Sequence, residues 1–95
     1  MSKSVISNEK ICLVCGTPFN LHKHHIYNGM SFRRPSEKYG CWCYLCGYHH
    51  NLSDHGVHFN KELDESLKKM CQETLEQEHG WSREKFMDIF GRNYL

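Results

Sequence analysis

The chain has 95 residues and a formal net charge of +1 with neutral histidines, enough for one compact domain, too few for two, and small enough that its core calls for a staple. Near neutrality excludes the global basic field of a strongly nucleic-acid-binding domain, and no apolar run approaches the roughly 18–20 residues of a membrane-spanning helix. Six Cys and eight His exceed ordinary usage and together point to metal ligation rather than to a disulfide framework. The opening MSKSVISNEKI lacks the apolar stretch of an export signal. A reducing cytoplasm, where thiols stay available to metal, is therefore expected. Charge is unevenly spread: residues 10–34 hold Lys10, Lys23, Arg33, Arg34 and three histidines with no acid, whereas residues 62–78 are rich in acids. One part of the chain could thus face phosphate while the other faces water.

In chain order, residues 1–10 are polar and read as a flexible N-terminus. Cys12-Leu13-Val14-Cys15-Gly16 has the form of a metal-knuckle turn. A strand carrying His24-His25-Ile26-Tyr27 follows, then a loop, NGMSFRRPSEK, rich in turn residues and closed by Pro35. A second strand is expected around YGCWCYL, as hairpin partner of the first. A short helix is expected near Tyr48 to Asp54, which Gly56 can terminate. Asn60 is a candidate N-cap for a longer helix in which Leu63, Leu67, Met70, Cys71 and Leu75 recur at helical spacing and Gly80 marks the end. Ser82 caps a last helix with Phe86, Ile89 and Phe90 on one side and Gly91 behind it. Both apolar stripes read as core. The fold class is therefore α+β: one domain over 11–95, whose residues 60–95 form a C-terminal helical extension.

The spacing Cys12-x2-Cys15, with Cys46-x2-His49 downstream, supplies a Cys3His tetrahedral set. Thiolate and imidazole suit Zn2+, and two-residue gaps let a tight turn aim both side chains at one point. Four protein ligands leave no open position, so this site is structural and contributes directly to folding. Cys41 and Cys43 lie close enough in sequence to exchange with Cys46. Alternation puts both on one strand face, where packing is the more economical reading. His22 and His58 read as structural or surface residues, and His79, at a helix end, as a cap residue.

His24-His25, the knuckle before them, and the stretch CGYHHN at residues 46–51 together resemble the HNH endonucleases of the ββα-metal superfamily over residues 12–58. The order LHKHHIYNG, RRPSEKYG, YLCGYHHN, GVHFN and IFGRNYL is similar to small phage-encoded members over nearly the whole chain. The resemblance implies a zinc-stapled ββα-metal core and a metal-dependent DNA endonuclease using one catalytic divalent ion. It places His24 and His50 as ligands of that ion and His25 as the general base. Asp54, four residues after His50, would complete the site, with His55 as a competitor. Arg33, Arg34 and Lys23 become candidates for nucleic-acid binding. Mg2+, Mn2+, Ni2+ or Zn2+ would serve, the imidazoles favouring the last three. DNA is the expected partner, a homodimer or association with phage recombination or packaging proteins is compatible, and no membrane is involved. The family's middle asparagine falls here on Cys41, which cannot orient a base histidine well; Asn51 or a backbone carbonyl could substitute. That departure motivates a non-catalytic nucleic-acid-binding zinc module as the alternative, and the acidic helix an accessory protein of a phage replication or packaging complex.

Overall fold

The structure, a computed structural model, describes residues 3–27, 31–50 and 60–95. It is a small α+β fold built on a two-stranded antiparallel sheet, in which β1 (Leu21–His25) pairs with β2 (Trp42–Cys46). The register sets Leu21 opposite Cys46, Lys23 opposite Tyr44 and His25 opposite Trp42, with His22 against Leu45 and His24 against Cys43 between them. Cross-strand partners share a face and successive residues alternate. One face of β1 therefore carries His22 and His24, and the other Lys23 and His25.

Between the strands the expected loop is instead helical: α1 spans Arg33–Tyr39. Pro35 was read as closing a loop, but it is the third helical residue, inside the first turn, where a missing N–H leaves nothing unsatisfied. Gly40 ends this helix at φ +72°, and a Cβ there would overlap the Lys3 carbonyl oxygen. Ser36, fully buried, donates its hydroxyl to the Tyr27 carbonyl at 3.0 Å, which ties α1 to the end of β1. The approach at Gly40 comes from the N-terminal segment, which is docked where the sequence suggested looseness. The Val5 amide donates to the Gly40 carbonyl at 3.0 Å, and the buried Ser4 hydroxyl donates to the Trp42 carbonyl.

Among the described residues, three helices follow β2. The short helix expected after the sheet begins at Gly47 as α2 (Gly47–His50); its continuation toward Asp54 and Gly56 lies outside the described residues. The long helix, α3 (Lys61–His79), has the anticipated ends: Asn60 accepts from the Leu63 amide at 3.2 Å and Gly80 closes it in the left-handed conformation. Leu67, Cys71 and Leu75 form its buried stripe, while Met70, expected in the core, is 39% exposed. Its neighbour Cys71 holds the inward position, and adjacent helical residues point about 100° apart. The last helix, α4 (Arg83–Phe90), is capped by Ser82 as expected and buries Phe86 and Phe90.

The core forms where these helices meet the hairpin. Tyr27, two residues past β1, packs its ring against Phe86, Phe90 and Tyr94 with centroids 5.4, 4.4 and 5.5 Å away. Its hydroxyl donates to the Lys68 carbonyl of α3 at 2.7 Å. The buried Gln72 donates to Asn93 and accepts from the Tyr94 amide, both at 2.8 Å, holding the C-terminal tail on α3. Tyr27, two residues after the histidine pair, is thereby anchored, and the pair sits at the end of β1. No helix of the described residues is long and apolar enough to cross a membrane.

Candidate metal centre

Cys12, Cys15, Cys46 and His49 converge, with one donor atom from each lying within 4.8 Å of every other. The knuckle forms because the Gly16 amide returns to the Cys12 carbonyl and the Cys12 amide donates to Thr17, both at 2.8 Å. The Leu13 amide fastens this turn to the Tyr44 carbonyl of β2 at 2.9 Å. From the other side, Cys46 ends β2 and α2 starts at once, so one turn of helix carries His49 back toward the same point. The separations are 3.7 Å for Cys15 Sγ to Cys46 Sγ, 3.8 Å for Cys12 Sγ to His49 Nδ1, and 3.3 Å for Cys46 Sγ to His49 Nδ1. A tetrahedron with metal–sulfur bonds of about 2.3 Å and metal–nitrogen bonds of about 2.0 Å has corners roughly 3.5–3.8 Å apart. The four residues could therefore hold a metal ion, and with four protein donors the site would be closed and structural.

Burial and hydrogen bonding act differently on Cys12 and on the core cysteines. Cys12 is desolvated, which raises its pKa, but amides of Cys46, Cys15 and Val14 bond its sulfur and outweigh burial, holding it at about 6 against an ordinary 9.0. At Cys15 the Thr17 amide favours the thiolate, yet desolvation and the neighbouring sulfurs of Cys12 and Cys46 win and push it up. A cation between the sulfurs would favour the thiolate form of each. Cys41 and Cys43 belong elsewhere. Burial pushes Cys43 up to about 12, and Cys41 is pushed up by its hydrogen bond to Cys71 and by burial. Both lie in the core, as their packing role requires.

His50, next in sequence to His49, turns another way. Its Nδ1 lies 2.9 Å from Nδ1 of His22, the rings meeting edge-on at 5.0 Å, and the His24 ring is 5.4 Å from it. Three imidazoles are thus gathered beside the closed site: two from the same face of β1, one from α2. His22, expected as a structural or surface residue, belongs to this group; the signal that finds it is its two-residue spacing from His24, which alternation places on one face. Asp54, Asn51, His55 and His58 lie outside the described residues.

His25 leaves the opposite face of β1. Its Nε2 is 2.7 Å from Oε2 of Glu37 on α1, while Lys23 Nζ is 2.8 Å from the other oxygen, Oε1. The ammonium of Lys23 also sits over the Trp42 ring at 4.6 Å from its centroid. Lys23 and then His25 hold the Glu37 carboxyl below its usual range. Nothing local in the sequence marks Glu37, because it reaches His25 only through α1, which stands where a loop is expected. Arg33 and Arg34 are the first two residues of that helix and both are exposed. His79, expected to cap α3, is its last residue and stacks on Trp81 with centroids 4.9 Å apart. Comparison with known proteins finds no family model, no curated protein and no solved structure that matches the chain.

Proposed function

We propose that this protein is a metal-dependent DNA endonuclease of the HNH, ββα-metal type, with a structural Zn2+ in the Cys3His site. The observation that carries this reading is the division between consecutive histidines. His49 joins the closed thiolate set, whereas His50 gathers with His24 and His22 on one face of β1, and His25 leaves the opposite face at the end of the same strand. Zinc is the ion best matched to three sulfurs and one nitrogen in tetrahedral array.

Imidazole donors such as His24 and His50 suit a divalent ion that accepts nitrogen, such as Mn2+, Ni2+ or Zn2+, better than Mg2+. Bound by His24 and His50, with Asp54 as a further ligand, such an ion would supply positive charge to a scissile phosphate. His25 is the base. A carboxylate can only accept, so the bond to Glu37 requires the proton on Nε2, and in the neutral ring Nδ1 then carries the lone pair that takes a proton from water. Arg33 and Arg34, exposed at the start of α1, are assigned to flanking phosphates of DNA. Lys23 contributes less, since its ammonium is engaged by Glu37 and Trp42.

Incubation of the protein with supercoiled plasmid and Mg2+, Mn2+ or Ni2+, beside a His25→Ala variant, tests this. Metal-dependent nicking that the substitution reduces by roughly 100-fold or more is expected, the usual scale of a general base. Retarded DNA without nicking under any ion would replace the nuclease by a non-catalytic binding module. Neither nicking nor retardation would leave the accessory role in a phage complex.

A further inference from the structure

We propose that Glu37 is the positioning residue of His25, holding the imidazole ring in place and committing Nδ1 to proton transfer; this rests on the nuclease reading above. The cysteine at the place where a side-chain partner for this histidine would be sought cannot serve. Cys41 is fully buried and belongs to the core cluster with Cys71 of α3. Glu37 instead approaches from α1, and three independent contacts fix where it stands. Ser36, its neighbour, is anchored to the Tyr27 carbonyl at 3.0 Å. Gly40 closes the helix against the docked N-terminal segment through the bond from the Val5 amide. Lys23 holds Oε1 at 2.8 Å, which leaves Oε2 aimed at His25 Nε2 at 2.7 Å.

This arrangement differs from an ordinary surface ion pair. Both carboxylate oxygens are used, one for charge balance and one for the ring, and Lys23 and His25 project from the same face of one strand at two-residue spacing. A bond to one ring nitrogen determines which tautomer is present and stops rotation of the ring about its side-chain axis. The acceptor nitrogen then faces one direction at the end of β1. In this scheme Glu37 acts on the reaction only through His25.

The experiment compares wild type, Glu37→Ala and Glu37→Gln with Mn2+ and supercoiled plasmid, beside proton NMR of the ring N–H region. Wild type should show a downfield His25 Nε2–H resonance, assigned by its absence in His25→Ala and protected from exchange by the carboxylate. Glu37→Ala should lose that resonance and about 10- to 100-fold in kcat, with KM within about twofold, a fraction of what removing the base itself costs. Glu37→Gln keeps an acceptor oxygen and should recover part of both. Unfolding temperature and zinc content close to wild type establish that each variant is folded. A Glu37→Ala enzyme that loses the resonance but cuts at the wild-type rate overturns the positioning role and leaves the nuclease reading intact. A wild-type protein without the resonance overturns it equally. If His25→Ala cuts as fast as wild type, the nuclease assignment of His25 fails, and the positioning role fails with it.

Discussion

Cys15→Ser separates a metal ligand from an ordinary cysteine more sharply than any other substitution in the cluster. Cys12 and Cys46 are buried, so replacing either damages packing as well as ligation, but Cys15 is exposed. An isosteric change at an exposed position that ligates nothing falls within about 0.5 kcal/mol of wild type. A ligand behaves differently. Structural Zn2+ in small domains contributes about 10–16 kcal/mol at neutral pH, so an even share for one of four donors is about 3–4 kcal/mol. Total stability for a chain of this length is about 5–14 kcal/mol. One oxygen in place of one sulfur should therefore lower the unfolding temperature by more than about 10 °C, since each kcal/mol corresponds to about 4–8 °C in a domain this small. Scanning calorimetry with metal content measured by mass spectrometry reads both quantities on one sample. A Cys15→Ser protein that retains a full equivalent of zinc and melts with wild type would show that the four donors do not share an ion.

Acidification should act through Cys12. Its folded pKa of about 6 lies below the ordinary 9.0, so the unfolded chain binds more protons between those values. The stabilisation is complete above about pH 9 and is lost as pH falls through about 6. Zinc affinity, measured by competition with a chromogenic chelator, should accordingly weaken as pH falls through about 6, because protons compete with the metal for the same sulfur; an affinity unchanged from pH 7 to pH 5 would contradict the assignment. Gly40→Ala tests the docking of the N-terminal segment. The left-handed φ of +72° costs a residue with Cβ about 1–2 kcal/mol, and displacing the Lys3 carbonyl endangers the bonds from Val5 and Ser4, about 1 kcal/mol each. A loss of about 3 kcal/mol in urea unfolding is expected; less than about 1 kcal/mol would mean that the segment is not held there.

Local chemistry written in consecutive residues was legible without a fold. Two-residue gaps between Cys12 and Cys15 and between Cys46 and His49 specify turn-borne ligands, and Asn60, Gly80, Ser82 and Gly91 mark helix ends by their backbone preferences. These signals depend on neighbours within one turn. Position in space was not legible in the same way. Which of two adjacent histidines joins the thiolates depends on how α2 leaves β2, and Met70 yields the core to Cys71 because of where α3 rests on the hairpin. Glu37 had no local mark at all: twelve residues separate it from His25, and only the folding of the intervening chain into a helix capped by Gly40 brings its carboxylate to the ring. The sequence by itself determined which side chains could bind metal and where helices stop, since spacing and backbone preference are properties of short stretches. Tertiary packing decided which of those side chains face one another, because that depends on contacts between segments remote in the chain.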